Sequence, residues 1–208
     1  MVARQLRGHG ISDRRILEAF ESIPRHLFVP REHQDAAYED GPLPIGFQQT
    51  ISQPFIVAYM TQSLGLSGDE RVLEVGTGSG YQAAILSTLV PEVHTVELVP
   101  ALAKRAQRTL DEIGVQNVFI HISDGSLGWP EAAPYDAILV AAAAPRVPKG
   151  LLEQLADGGR MVLPVGMRGD QILELWQREG ESFTHENLLP VAFVPLLGEQ
   201  GVRDRRDI

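Results

Sequence analysis

The chain has 208 residues, 44% of them hydrophobic and 22% charged, which suits one folded globular unit and offers no ~20-residue apolar window for a membrane span. Eighteen Lys and Arg against 27 Asp and Glu leave a net charge of −9, which argues against a broad phosphate-binding surface and against nucleic acid as a partner. The absence of cysteine excludes disulfides, thiolate metal sites and cysteine nucleophiles, and the first ten residues, M-V-A-R-Q-L-R-G-H-G, lack the apolar stretch of a signal peptide, so cytoplasm is the expected compartment.

In residues 11–30, Ser12 or Asp13 can cap a helix that carries Ile16, Leu17, Phe20 and Ile23 on one face. Pro24 and Pro30 end that helix and the segment after it, and residues 31–37 add a helical turn. Residues 38–53 read as a loop punctuated by Gly41, Pro42, Pro44 and Gly46; loops this long often carry function. A second helix runs from Pro54 to Leu66, with Phe55–Tyr59 and Ile56–Met60 as i, i+4 pairs. About 70 residues thus precede the first core strand, a helical extension expected to cover the mouth of a site.

From Arg71 the pattern alternates: strand 71–76, helix 81–89, strand 93–98, helix 100–113 between Pro100 and Gly114, strand 117–122, strand 136–143, a helix to Ala156, and strand 160–165. Strands alternating with helices predict a doubly wound, mostly parallel α/β sheet with helices on both faces. Residues 172–178 and 188–197 read as antiparallel closing strands, and 198–208 as a surface tail. The expected layout is one domain over 1–208: extension 1–70, core 71–197, tail 198–208.

The stretch R-V-L-E-V-G-T-G-S-G-Y, Arg71 to Tyr81, joins a buried strand to a helix through Gly76, Thr77, Gly78, Ser79 and Gly80. A dinucleotide site wants G-x-G-x-x-G, but here the third glycine comes one residue early and Glu74 precedes the first glycine by two. E-x-G-x-G-x-G resembles the first motif of class I S-adenosylmethionine-dependent methyltransferases, whose donor carries an ammonium and a sulfonium rather than a phosphate. Glu97 ends the second core strand, where a carboxylate grips ribose hydroxyls or stands as a solvated charge. Asp124, with Gly125, ends the third, to meet an adenine amine or simply to form a turn. Glu74 binds the donor's ammonium or braces the loop; Tyr81 reads as packing more than contact. In Gln49-Thr50-Ile51-Ser52-Gln53-Pro54, Ser52 or Thr50 before a proline-led helix reads first as a helix cap. Arg146 and Lys149 read as solvated loop charges, and the six histidines show no metal-ligand spacing, so no metal is expected.

The segments Pro24-Arg-His-Leu-Phe-Val-Pro30, Pro42-Leu-Pro-Ile-Gly46, Gln49-Thr-Ile-Ser-Gln-Pro54, Val72 to Ala84, Ala141 to Pro145 and Phe193-Val-Pro-Leu196 occur in an order that resembles the protein-L-isoaspartate O-methyltransferases over nearly the whole chain. The resemblance implies a Rossmann-like methyltransferase sheet with an N-terminal helical extension, S-adenosylmethionine as donor and S-adenosylhomocysteine as product. It implies methyl transfer to the free α-carboxylate of L-isoaspartyl residues in damaged proteins and peptides, with a monomer and no membrane or nucleic acid partner expected. The same fold also serves small-molecule and RNA methyltransferases. Ser52 aligns with a serine the family uses at its active site, with Thr50, Ile51, Gln53 and Arg146 as substrate-side candidates. Phe47-Gln48 departs from the family's small or glycine-containing pair, Ser123 from a glycine, and Ala141 from Gly or Thr.

Overall fold

The computed structural model describes residues 1–203; the end of the expected tail, 204–208, lies outside the described residues. Helix α1 (Arg14–Ser22) and a hairpin of β1 (Leu43–Gly46) and β2 (Gln49–Ile51) lead into α2 (Pro54–Ser63). The core follows as β3 (Arg71–Val75), α3 (Tyr81–Ser87), β4 (Glu92–Glu97), α4 (Pro100–Glu112), β5 (Val118–Ile122), β6 (Tyr135–Val140), α5 (Lys149–Glu153), β7 (Leu155–Met167), β8 (Asp170–Glu179) and β9 (Ser182–Val191). Among the described residues these core strands form one seven-stranded sheet in the order β5–β4–β3–β6–β7–β8–β9. The pairs from β5 to β7 are parallel, and β8 and β9 close the edge antiparallel. Strand order reverses between β3 and β6, so the crevice beyond their carboxyl ends is where an open α/β sheet takes its ligand.

The central strands are apolar on both faces because both are covered. Val72 packs with α3's Ile85 and the extension's Phe20 and Phe28 on one side. Leu73 and Val75 pack with Ile138, Leu151 and Leu155 on the other. Each such side chain removed from water contributes about 1.5–3 kcal/mol. The extension therefore shares its core with the sheet. Its α1 starts where the Asp13 side chain accepts the Arg15 N–H at 2.9 Å and buries Ile16, Leu17 and Phe20.

Several boundaries differ from the sequence reading: the second closing strand, expected at 188–197, runs Ser182–Val191, β6 ends at Val140 rather than 143, and α2 ends at Ser63 rather than Leu66. The 38–53 loop contains the β1–β2 hairpin, closed by Phe47 and Gln48 at φ of +53° and +57°. Two-residue turns of this hand normally use Asn-Gly or Gly-Gly, so the turn chemistry gave no signal. The helix expected to reach Ala156 stops at Glu153, and β7 starts at Leu155. Residues 198–203 are docked rather than a free surface tail. Val202 is buried and bridges Leu197, while the Glu199 and Gln200 amides donate to Asp124 and Ser126.

Candidate functional site

A chamber of about 930 Å³, its open mouth included, lies beyond the carboxyl ends of β3, β4 and β6. Its floor is the glycine turn. The Gly76 and Thr77 amides both donate to the Val96 carbonyl, at 2.9 and 3.3 Å, which lashes the end of β3 to β4. Gly80 takes φ +88°, and a Cβ there would stand 3.1 Å from the Ala106 Cβ, so only glycine lets α4 pack against the turn. A Cβ at Gly78 would lie 3.4 Å from Ile45 Cδ1, the hairpin residue that roofs the turn.

Two carboxylates face this floor in different states. Glu97 is 6% exposed and accepts the Gly78 amide at 2.7 Å and the Val99 amide at 2.9 Å. Each oxygen keeps a lone pair for a ligand hydroxyl. Glu74 is completely buried; its Oε2 shares a 2.5 Å hydrogen bond with Thr95, which is linked to Thr77 at 2.7 Å. Its Oε1 has no partner among the described residues. Burial, with the Glu97 charge adding to it, pushes Glu74 up to about 8, so it holds a proton at neutral pH.

The roof is the hairpin and the segment leading to α2. Thr50, Ile51 and Ser52 line the chamber together with Glu74, Gly76, Thr77, Gly78, Ser79, Glu97 and Gly125. Ser52 is not the cap of α2. The capping position is Gln53, without a side-chain cap bond, and Pro54 occupies the first turn, where a missing N–H does no harm. Ser52 itself lines both the chamber and the groove outside it. A groove continues outward from Ser52 past Thr50, Gln53, Ile56 and Phe193, and on past Gln48 to Met167 and Arg168.

Other candidates stand elsewhere. Gly80 sits behind the turn against α4, and Gln53 lines the outer groove rather than the chamber. The Asp124 carboxylate accepts the Ser126 amide at 2.9 Å and hydroxyl at 2.7 Å, and the Glu199 amide at 2.8 Å. It braces its own turn and the docked C-terminal segment, and only its neighbour Gly125 lines the chamber. Arg146 is exposed and lines neither chamber nor groove; the cation bordering the groove is Arg168. Tyr81 lines the chamber but packs edge-on against Phe20 and Phe28. His94 and His121 bond to each other at 2.9 Å outside the chamber, and no group of three His, Asp or Glu converges as a metal site among the described residues.

Sequence reading gave no site role to Arg25, Arg105 or the 194–197 stretch that closes the chamber wall, though two of the segments that carry the resemblance contain Arg25 and 194–196. Arg25 stands inside P-R-H-L-F-V-P, where an arginine flanked by apolar residues and prolines was the available signal.

Comparison with known proteins agrees with this geometry. The family model described as protein-L-isoaspartate(D-aspartate) O-methyltransferase matches residues 1–201. A protein-L-isoaspartate O-methyltransferase of Syntrophotalea carbinolica is 53% identical over all of this chain and 96% of its own length. One from Anaeromyxobacter dehalogenans is 58% identical over 91% of this chain and 92% of its own. A solved structure titled protein-L-isoaspartate O-methyltransferase superposes with a TM-score of 0.88 at 31% identity, over 97% of this chain and 67% of that one. A Plasmodium falciparum structure, crystallised with S-adenosyl-L-homocysteine, gives 0.82 at 22% identity over 94% and 96%, which shows the shared fold.

Proposed function

The chain belongs to the protein-L-isoaspartate(D-aspartate) O-methyltransferase family, and from that premise we infer how its own residues divide the work. It is an S-adenosylmethionine-dependent methyltransferase that esterifies the free α-carboxylate of L-isoaspartyl residues, a step in protein repair. The methyl ester offers a methoxy leaving group where the carboxylate has none, so the neighbouring backbone nitrogen closes a succinimide as its N–C bond forms and methanol departs, and hydrolysis of the ring returns some normal aspartate. No helix among the described residues is long and apolar enough to cross a membrane. We take the protein to be a cytoplasmic monomer whose partners are isoaspartyl proteins and peptides rather than nucleic acid, in keeping with its −9 charge.

The chamber's chemistry fits the donor. Glu74, protonated on its own at neutral pH, has an unpartnered oxygen, and an ammonium placed beside it would favour the charged form and pair with it, while Glu97 has lone pairs free for ribose hydroxyls. We assign Gly76, Thr77, Gly78, Ser79 and Gly80 to the turn beneath the donor and Gly125, with Asp124 behind it, to the adenine side. When bound, S-adenosylmethionine supplies an electrophilic methyl group and leaves as S-adenosylhomocysteine.

The substrate carboxylate is already ionised, so no general base is required. Its oxygen gains a C–O bond as the S–C bond breaks, with no net proton transfer. The protein's part is alignment, which contributes on the order of 7–11 kcal/mol in well-oriented intramolecular reactions. We assign Ser52 one hydrogen bond that orients the carboxylate, with Thr50, Ile51 and Gln53 shaping the entry. Ser52 is not assigned a covalent role, since no base stands in bonding reach of it among the described hydrogen bonds. Arg146 and Arg168 draw in the anionic peptide at long range.

The observation that carries this reading is that Ser52, Glu74 and Glu97 line one chamber together with the glycine turn. Incubation with radiolabelled methyl donor and matched isoaspartyl and aspartyl peptides tests it. Base-labile label is expected in the isoaspartyl peptide only. Equal labelling of both peptides, or label transferred to RNA or a small molecule instead, would refute the substrate assignment.

A further inference from the structure

Arg25 is wholly excluded from solvent, and no ion pair joins it among the described residues. Its Nε donates to the Ala37 carbonyl at 2.8 Å and its Nη2 to the Ser52 carbonyl at 2.7 Å. Its guanidinium lies over the Tyr81 ring, 4.8 Å from the centroid, and its Nη1 has no partner among the described residues. Desolvation pulls its pKa down to about 10, so it still carries its charge at neutral pH. With no carboxylate in ion-pair contact and Asp40 acting only at longer range, a buried charge is a burden on stability that an apolar side chain of similar volume would remove. Packing alone would be served as well by Met or Leu.

What only the guanidinium offers is a rigid fork and a flat face used together. The fork holds two backbone carbonyls from separate segments, the turn ending at Ala37 and the stretch entering α2. The face rests on Tyr81, the first residue of α3, directly after the glycine turn. One side chain thereby ties the height of the Ser52 backbone to the floor on which the donor is expected.

We propose that Arg25 is a positioning residue for methyl transfer: it fixes Ser52 over the glycine turn by holding the Ser52 carbonyl, and touches neither donor nor substrate. The proposal rests on the Ser52 assignment above, and the test separates the two. Arg25→Lys keeps the charge but loses the fork; Arg25→Gln keeps a donor without the charge. Each is made alone and with Ser52→Ala, and kcat, KM and the S-adenosylhomocysteine Kd are measured on the full chain.

Either Arg25 variant should lower kcat/KM at least about tenfold, chiefly through kcat, with the cofactor Kd within about twofold. In the Ser52→Ala background the same change should cost less than about threefold, because the group it positions is gone. Wild-type kcat/KM in a folded Arg25 variant would overturn the proposal, as would equal fold-losses in both backgrounds or a parallel loss of cofactor affinity. If neither variant folds, Arg25 is structural and the proposal falls. A Ser52→Ala enzyme at wild-type rate would instead refute the Ser52 assignment itself.

Discussion

The floor and the roof of the chamber keep their shapes by different means. The floor is held by neighbours close along the chain: Gly76 and Thr77 on the Val96 carbonyl, Gly78 on the Glu97 side chain, and Gly80 pressed against α4, all within the run from β3 to α4. The roof is held by side chains from far along the chain. Arg25 reaches Ser52 across 27 positions, and Arg105 of α4 donates to the Ile45 carbonyl at 2.5 Å across 60. Damage to the floor should therefore appear in cofactor affinity, and damage to the roof in the rate of transfer.

The largest expected effect is on the floor. Glu97→Ala removes the brace on Gly78 together with the ribose acceptors, and S-adenosylhomocysteine binding by calorimetry should weaken at least about 100-fold. A Kd within a few-fold of wild type would break the comparison at once. On the roof, Ser52→Ala should lower kcat/KM by about 10–100-fold, the loss of one charge-assisted bond worth ~1.5–3 kcal/mol, with cofactor Kd unchanged. If both quantities fell together, the two walls would not be separable.

The third prediction sharpens the floor. Folded Glu74, raised to about 8 from an ordinary 4.5, holds a proton at neutral pH that the unfolded chain has lost. Its contribution to stability is therefore greatest below the unfolded value and is lost as pH rises through about 8. Thermal melts of wild type and Glu74→Gln across that window should diverge, with the variant losing less as pH rises; parallel curves would contradict a neutral Glu74. The smallest effect concerns the hairpin tip. Phe47 is 56% exposed and sits at φ +53°, a conformation that suits Asn far better. Phe47→Asn should raise stability by about 0.5–1 kcal/mol in denaturant titration, leaving the cofactor Kd unchanged.

The same contrast explains what could be read from the residues alone. The floor was legible because glycine spacing, a preceding Glu74 and a strand-ending Glu97 are local signals, and the structure gathers them into one chamber. The sheet was legible because β–α alternation and two-faced apolar strands repeat down the chain. The hairpin was not, since its turn uses Phe47 and Gln48 where turn chemistry calls for Gly or Asn. Ser52 was ambiguous because a serine two residues before a proline-led helix is also how a cap looks; only the three-dimensional arrangement frees its side chain from that duty. Arg25 stood out as an arginine among apolar residues and prolines, but its role was not legible because its partners are backbone carbonyls, which carry no residue signature. Asp124 stayed open between adenine contact and turn former, because the turn and the docked segment it braces come together only in the fold.

A crystal structure with S-adenosylhomocysteine and an isoaspartyl peptide tests the central claim most directly. The account predicts the thioether sulfur over Gly76–Gly80, with the α-carboxylate between that sulfur and the Ser52 hydroxyl and in hydrogen-bond reach of the latter. A sulfur lodged elsewhere, or a carboxylate bound with Ser52 turned away from it, would contradict it.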